Sequence, residues 1–271
     1  MRLDSMDLDI AGKNSVLGRS AKDLEKYKEK ATAYFGKSLM STGENPVLGR
    51  KLFLDIAKPH VVLICGKRGG GKSYSMAVMI EEFARQPPEI KKRISVIVID
   101  TVGIFWSLKI PTKSNLKELE KWDLKPDKTD VTVLVPKGKL DFYKKKGLPI
   151  DGAFTIRTSE LQALEWMSLF KITWKDPEST LISRVIETVQ EKLGNLYGID
   201  DLILTAKKDE ESEKTVRDAV AGRFQAAKSW GLFEKEGTKI KEIAKAGAIT
   251  IIDVSAYRQA AGMEGTRDVI V

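Results

Sequence analysis

Cysteine and histidine are nearly absent from this sequence, which has a single residue of each type, Cys65 and His60, among 271 residues. With one cysteine the chain cannot form an internal disulfide, and this predicts an intracellular, cytoplasmic protein. A metal site built from several histidines and cysteines is excluded for the same reason. His60 stands just before an apolar run, where a lone histidine is expected to be structural rather than catalytic.

Long apolar runs are missing as well. No stretch approaches the roughly 20 residues that cross a bilayer, and the N-terminal MRLDSMDLDI contains no signal-peptide core. These absences predict that the protein has no membrane partner. Hydrophobic residues make up 42% of the chain, which is enough for the core of one large domain or of one domain with appendages.

Basic residues outnumber acidic ones by 46 to 38, and the formal net charge is +8. One interpretation is that the protein has an acidic partner such as nucleic acid. The other is a lysine-rich surface that contacts only solvent, and the charge balance alone does not separate the two.

The most informative pattern that is present is VVLICGKRGGGKS at residues 61–73. It begins with an apolar run, Val61–Cys65, which predicts a buried strand, so that Cys65 is expected to be buried. The remainder matches the phosphate-binding loop G-x-x-x-x-G-K-[ST], in which glycines let backbone N–H groups surround phosphate oxygens. Lys72 is expected to reach the β- and γ-phosphates, and the Ser73 hydroxyl is expected to ligate Mg²⁺.

Apolar residues follow the loop with helical spacing from Tyr74 to Phe83. This spacing places the loop at a helix N-terminus, where the helix dipole favours anions. Because the motif stands between a predicted strand and a predicted helix, we predict a site for ATP and Mg²⁺. The predicted nucleotide-binding residues are Gly66, Lys67, Arg68, Gly69, Gly70, Gly71, Lys72, Ser73 and Tyr74.

Two further apolar runs each end in an aspartate. Ile94–Ile99 precedes Asp100, and Ala248–Ile252 precedes Asp253. Such runs suit a parallel sheet covered on both faces, and acids at the carboxyl ends of its strands face the ligand crevice. Asp100 is a candidate for contact with Mg²⁺, water or nucleotide, or else a structural strand-end aspartate. Asp253 is a candidate metal-associated acid, although neither aspartate is followed by the glutamate that RecA-like hydrolases usually have.

The densest basic segment is Lys137–Gly147, KGKLDFYKKKG, which we predict to be a loop. Its lysines Lys144, Lys145 and Lys146 stand beside a phenylalanine and a tyrosine. Basic residues next to aromatic ones suit contact with a nucleic-acid backbone. A loop that is merely solvated is the alternative.

Periodicity and capping signals predict the remaining elements. The first 45 residues are expected to form an arm or tail with one charged helix over Lys22–Phe35, or else to dock that helix on a neighbouring subunit. Further strands are predicted at Lys51–Ile56, Val131–Val135 and Phe154–Arg157, helices at Leu116–Trp122, Thr158–Phe170, Pro177–Leu193 and Val216–Trp230, and a charge-dense linker or helix start at Lys207–Lys214.

Three segments of the chain together resemble archaeal ATPases of the HerA/FtsK superfamily, which are hexameric motors that pump DNA. The segments are VLGRKLFLDIAKPHVVLICGKRGGGKSYSM, VIVIDTVGIFWS, and AGAITIIDVS followed by RDVIV. The similarity spans about residues 47 to 271, and its most distinctive part is the first segment, with its pre-loop histidine and phosphate loop.

The resemblance implies a three-layer α/β fold with a mainly parallel, RecA-like sheet. It implies that Lys72 and Ser73 hold phosphate and Mg²⁺, and that Lys72 and Asp100 are catalytic, with Asp100 near the γ-phosphate. The partners it implies are double-stranded DNA, identical subunits in a ring of about six, and a nuclease.

The sequence departs from the family in three places. Gly103-Ile104-Phe105 stands where many members have a glutamate, and the family's small N-terminal β-barrel is not evident in residues 1–45. The resemblance implies that the Walker B acidic pair and the arginine finger lie beyond Val271, and the final residues themselves resemble the first turn of an unfinished helix.

The predicted organisation has four parts. These are an N-terminal helical arm or tail (1–45), a P-loop ATPase core (46–157), an inserted helical subdomain (158–245) and a return to the core (246–271). The predicted function is ATP hydrolysis coupled to translocation on double-stranded DNA, or to its unwinding. A P-loop phosphotransferase with Asp100 as base and the inserted helices as a lid remains open, as does a nucleotide-dependent switch without hydrolysis.

Overall fold

The structure is a computed structural model that describes residues 15–40 and 47–258. Parts of the predicted N-terminal arm and the RDVIV segment lie outside these residues. The chain divides into two compact units. The N-terminal unit comprises Met1–Val96 and Ala246–Ala248, and the C-terminal unit comprises Ile97–Lys245 and Ile249–Val271.

The N-terminal unit contains a three-stranded sheet. Its elements are β1 (Ser15–Leu17), α1 (Ala21–Tyr27), β2 (Thr32–Leu39) and β3 (Leu48–Asp55). Strand β3 lies in the centre, parallel to β1 and antiparallel to β2.

The single helix predicted over Lys22–Phe35 is wrong in its second half. The chain leaves the helix at Lys28 and Ala31, which both have a positive φ of 52°, and continues as strand β2. Pairing with β3 satisfies the backbone of β2, and the Tyr34 ring lies 5.6 Å from that of Phe53. A strand partner and ring packing thus outweigh the helical propensity of this segment, which no local pattern reveals.

Two helices complete the N-terminal unit, α2 (Lys72–Ala84) and α3 (Pro88–Lys91). Helix α2 confirms the helix predicted after the phosphate loop. Helix α2 ends before Pro87, and Pro88 is the first residue of α3. Proline suits this position because the N–H of the first helical residue has no acceptor within the helix.

A buried ion pair ties the start of the described chain to the end of β3. The Arg19 guanidinium donates to the Asp55 carboxylate, with its Nε 3.1 Å from Oδ1, and also to the carbonyls of Lys30 and Ala31. His60 Nε2 lies 2.9 Å from the other Asp55 oxygen, which agrees with the structural role predicted for this histidine. Burial alone would raise the pKa of the Asp55 carboxyl, but hydrogen bonds from Arg19 and His60 hold that pKa below its usual value.

Replacing Asp55 by asparagine is expected to lower the free energy of unfolding at pH 7 by about 1–3 kcal/mol. Because the folded-state pKa of Asp55 is lowered, its charge stabilises the fold above the reference value of 3.8, and this contribution is lost as pH falls through the folded-state pKa. The difference between Asp55→Asn and the wild type should therefore shrink below about pH 4.

Hydrogen exchange of the amides around Ala57, whose N–H also donates to Asp55, measures this effect within the N-terminal unit. Tryptophan fluorescence is the internal control, because all five tryptophans lie in the C-terminal unit. Equal protection in the two proteins at pH 7 would contradict the stabilising role of the ion pair.

The C-terminal unit is built on a four-stranded sheet with the order β4-β9-β5-β6. Its strands are β4 (Val96–Asp100), β5 (Thr132–Pro136), β6 (Gly152–Phe154) and β9 (Ile249–Asp253). Strand β5 is parallel to both β6 and β9. Every residue of β9 is buried, as expected for a central parallel strand. These features confirm the predicted α/β class with a parallel sheet, as in RecA-like P-loop NTPases.

The predicted strand Phe154–Arg157 is divided between two sheets. Phe154 ends β6, while β7 (Ile156–Arg157) pairs in parallel with β8 (Phe233–Glu234). A backbone hydrogen bond from the Ile156 N–H to the Leu232 carbonyl, 2.8 Å long, directs β7 towards β8.

Seven helices occur in the described part of the C-terminal unit: α4 (Leu116–Lys121), α5 (Leu140–Lys145), α6 (Ala163–Phe170), α7 (Pro177–Leu193), α8 (Ile199–Lys208), α9 (Lys214–Ser229) and α10 (Ile240–Ile243). Helix α7 has the predicted bounds. Helices α4 and α9 lie close to their predicted positions. No helix in the described residues is long and apolar enough to cross a membrane.

Helices α6 to α9 enclose an aromatic core. The Trp166 ring lies 5.5 Å from Phe170, 5.3 Å from Phe224 and 4.9 Å from Phe233. This core holds the helices that the sequence predicts as an inserted subdomain. The compact units do not test where that subdomain begins and ends, so the four-part division of the chain stays a prediction.

Two helix starts differ from the prediction. Helix α6 begins at Ala163 rather than at Thr158, because Gln162 and Glu165 form its capping box. Helix α8 was not predicted over most of its length. Two features of the sequence indicate this helix. The Asp201 carboxylate accepts the Gly198 N–H at 2.8 Å and so caps the helix start, and the buried residues Leu202 and Ala206 follow at helical spacing.

Candidate functional site

The phosphate loop lies between residue 66 and the start of α2. Gly69 and Gly71 have positive φ angles of 78° and 84°, which residues with a Cβ rarely adopt. The Gly70 N–H donates to the Lys67 carbonyl at 3.0 Å, and this bond closes a tight turn. Gly71 stands at the N-cap of α2 without a side-chain cap, so the first N–H groups of the helix have no capping side chain.

Lys72 folds back over this loop. Its ammonium donates to the carbonyl oxygens of Gly66, at 2.8 Å, and of Lys67, at 2.9 Å. The side chain is only partly buried, and Ser73 follows it within the first turn of α2. A cation held at this loop, next to a helix N-terminus that has no side-chain cap, is suited to an anion with several oxygens.

The buried strand predicted over Val61–Cys65 is wrong for this structure. Residues 59–66 form neither helix nor strand, and Val61, Leu63 and Cys65 are exposed. The described strands β1, β2 and β3 of the N-terminal unit pair with one another and not with this run. An apolar run becomes a strand only where a neighbour satisfies its backbone, and the sequence does not show whether one is present.

The residues of the loop fit a nucleotide phosphate and Mg²⁺. The two left-handed glycines leave room where a Cβ would stand, with no atom within 4 Å of that position at Gly69 or Gly71. The Lys72 ammonium supplies the positive charge, and Ser73 supplies the hydroxyl that a magnesium ion needs next to the phosphates. Tyr74 directly follows Ser73 and is exposed.

Asp100 lies at the carboxyl end of β4 and is almost completely buried. One carboxylate oxygen accepts the N–H groups of Val102 and Gly103, and the other accepts those of Ile104 and Phe105, at 2.7–2.9 Å. The carboxylate therefore shapes the loop after the strand. Its predicted catalytic role stays a prediction, as does its alternative as a structural strand-end residue.

Asp253 lies at the carboxyl end of β9 and is also buried. Its Oδ1 accepts the Tyr143 hydroxyl at 2.8 Å and the Ser255 N–H at 2.9 Å. Burial raises the pKa of the Asp253 carboxyl, hydrogen bonds from Ser255 and Tyr143 oppose that rise, and the nearby charge of Asp100 adds to it. Its assignment as a metal-associated acid stays a prediction.

The sheet brings the two aspartates to the same edge. The Val96 N–H donates to the Ala248 carbonyl at 3.1 Å, and towards the carboxyl ends of the two strands the Val254 N–H donates to the Asp100 carbonyl at 3.0 Å. Strands β4 and β9 therefore run in the same direction and end side by side. This placement agrees with the expectation that both acids lie at the carboxyl edge of a parallel sheet.

The predicted basic loop contains a short helix. Residues Leu140–Lys145 form α5, and the side chains of Lys144, Lys145 and Lys146 are exposed. The Lys146 ammonium lies 4.2 Å from the centre of the Phe142 ring. The arrangement leaves three cations on one short stretch of surface, which is the predicted nucleic-acid contact, and the solvated alternative also stays open.

Tyr143 is the residue of this site that sequence reasoning missed. It was predicted only as an aromatic neighbour of the lysines, yet it is buried and its hydroxyl contacts Asp253, 110 residues away. No local pattern could reveal this contact.

Two comparisons with known proteins bear on this site. A family model described as the central domain of the helicase HerA matches residues 47–262. No curated protein matches the chain. The matched range includes the phosphate loop, both strand-end aspartates and α5.

Proposed function

Because the chain belongs to the HerA central-domain family and is a P-loop ATPase of the HerA/FtsK type, we propose that it couples ATP hydrolysis to translocation on double-stranded DNA. The observation that carries the proposal is the phosphate loop, with its left-handed glycines, the Lys72 ammonium held at two loop carbonyls, and a helix N-terminus that has no side-chain cap. The active assembly is a ring of identical subunits.

The loop residues bind and orient the triphosphate. Backbone N–H groups at the start of α2, which have no capping side chain, donate to phosphate oxygens, and Lys72 exchanges its carbonyl contacts for the β- and γ-phosphates. The Ser73 hydroxyl would hold Mg²⁺, which would neutralise negative charge on the phosphates. To make these contacts, Lys72 needs only a change of side-chain rotamer.

In this proposal the two strand-end aspartates act together at the carboxyl edge of the sheet. Asp100 keeps the loop after β4 in shape through its four backbone hydrogen bonds, and Asp253 holds a carboxylate beside it. A neighbouring subunit supplies an arginine to the transferred phosphoryl group, and closure of the ring couples hydrolysis to movement of the basic surface on α5.

The DNA contact is supported by charge and exposure. Lys144, Lys145 and Lys146 are exposed and adjacent, and the chain carries a net charge of +8. Adjacent cations of this kind bind the phosphate backbone without reading the base sequence. A contact of this kind suits a motor that moves along DNA.

ATP turnover with and without double-stranded DNA tests the proposal. It is measured on this chain and on the longest natural reading frame that contains it, with the Lys72→Ala variant as the blank. Turnover that DNA raises and that the variant lacks supports the motor. Turnover that requires a small acceptor and ignores DNA would instead identify a phosphotransferase.

A nucleotide-dependent switch is the second candidate, and one observation favours it. Both oxygens of the Asp100 carboxylate already accept two backbone N–H groups each, and the positions after Asp100 and Asp253 hold no glutamate. ATP binding without turnover, in the longer reading frame as well, would establish the switch and exclude the motor.

A further inference from the structure

One buried tyrosine lies between the basic surface of α5 and the acidic edge of the sheet. Tyr143 precedes Lys144 on α5 and is 1% exposed. Its hydroxyl donates to Asp253 Oδ1 at 2.8 Å and accepts the Ala256 N–H at 3.2 Å. The side chain therefore contacts both the strand-end acid and the turn after β9.

The chain on the N-terminal side of α5 is fixed. The Gly138 N–H donates to the Gly231 carbonyl at 2.8 Å, and a Cβ at Gly138 would stand 2.4 Å from the Trp230 carbonyl oxygen. Close approach of two backbones leaves this end of the segment no room to shift. At the C-terminal end, the side chains of Lys144, Lys145 and Lys146 are all exposed and accessible to a ligand.

We propose that Tyr143 is a positioning residue that transmits binding of nucleic acid at Lys144–Lys146 to the Asp253 carboxylate. The inference rests on the proposed function, because it needs ATP turnover that DNA raises. Phosphates drawn to the three lysines pull on the C-terminal end of α5, while Gly138 holds the other end. Tyr143 is the buried side chain next to the pulled residues, so its hydroxyl moves relative to Asp253.

Displacement of the Tyr143 hydroxyl changes how many hydrogen bonds the Asp253 carboxylate accepts. With Tyr143 in place, Oδ1 of Asp253 has two donors, the tyrosine hydroxyl and the Ser255 N–H. Loss of the hydroxyl frees one lone pair of a buried carboxylate at the edge of the sheet, beside Asp100. A carboxylate with a free lone pair can accept a hydrogen bond from water or ligate a cation.

Tyr143→Phe removes the hydroxyl and keeps the ring in place. Tyr257→Phe is the matched control, because Tyr257 is equally buried in the same unit and its hydroxyl donates to a backbone carbonyl, that of Trp230, at 3.1 Å. Both variants lose one buried hydroxyl, and circular dichroism establishes that both are folded. Only the first variant loses a contact with Asp253.

The experiment measures kcat and KM for ATP with and without double-stranded DNA, together with the Kd for DNA. In Tyr143→Phe the Kd for DNA and the KM should stay within about twofold of the wild-type values, while the DNA-dependent change in kcat is lost. Tyr257→Phe should keep that change. A Tyr143→Phe protein stimulated like the wild type, or a Tyr257→Phe protein that loses stimulation equally, would overturn the inference alone. A wild-type protein that DNA does not stimulate would overturn the proposed function and this inference together.

Discussion

Lys72→Ala is expected to lower ATP turnover by about 100-fold or more, because it removes the only side-chain cation that the loop motif directs at the β- and γ-phosphates. The Lys72 ammonium lies within 2.9 Å of two loop carbonyls, so it is already held over the loop before ATP arrives. Glycine-rich backbone alone would still bind phosphate weakly through its N–H groups.

Turnover is measured by phosphate release at saturating ATP, and binding by fluorescence of a labelled ATP analogue. Lys92→Ala is the matched control, since Lys92 is an exposed lysine of the same unit outside the loop. Wild-type turnover in the Lys72 variant would show that the loop does not hold the reacting phosphates.

Changing Lys144, Lys145 and Lys146 together to glutamate is expected to weaken binding to double-stranded DNA about 10- to 100-fold at low salt. Each lysine that contacts a phosphate releases a counterion on binding. The plot of log affinity against log salt should therefore become less steep. Its negative slope should decrease in magnitude by about 2.7, or about 0.9 for each lost contact. All three side chains are exposed, so the substitutions should leave the core intact.

Fluorescence anisotropy of a labelled duplex at several salt concentrations gives both quantities. The matched control changes Lys117, Lys125 and Lys128 to glutamate. These lysines are exposed in the same unit, and the control protein has the same net charge. If both triple variants lose affinity equally, the effect comes from overall charge and α5 is not the DNA contact.

Local signals were sufficient for several elements. Helix α7 begins at Pro177 and ends before Gly194, and the apolar residues between them repeat at helical spacing. The phosphate loop was equally clear, because its glycines are required by their φ angles and α2 follows at once. In both cases the information lies within one stretch of chain.

Contacts between distant residues explain why two of the secondary-structure predictions are wrong. The segment after α1 became strand β2 because β3 offers a partner, and the Val61–Cys65 run did not become a strand because none of the described strands pairs with it. Alternating or apolar patterns show that a segment can form a strand. They do not show which partner, if any, is within reach.

The sequence by itself determined the family, the position of the phosphate loop, and the two aspartates that end apolar strands, since these depend on residue types at short fixed spacings. Only the folded structure shows that the aspartates lie side by side and that Tyr143 reaches Asp253. Strand order and helix docking bring together residues more than 100 positions apart, such as the pair separated by 110. No spacing rule along the chain contains that information.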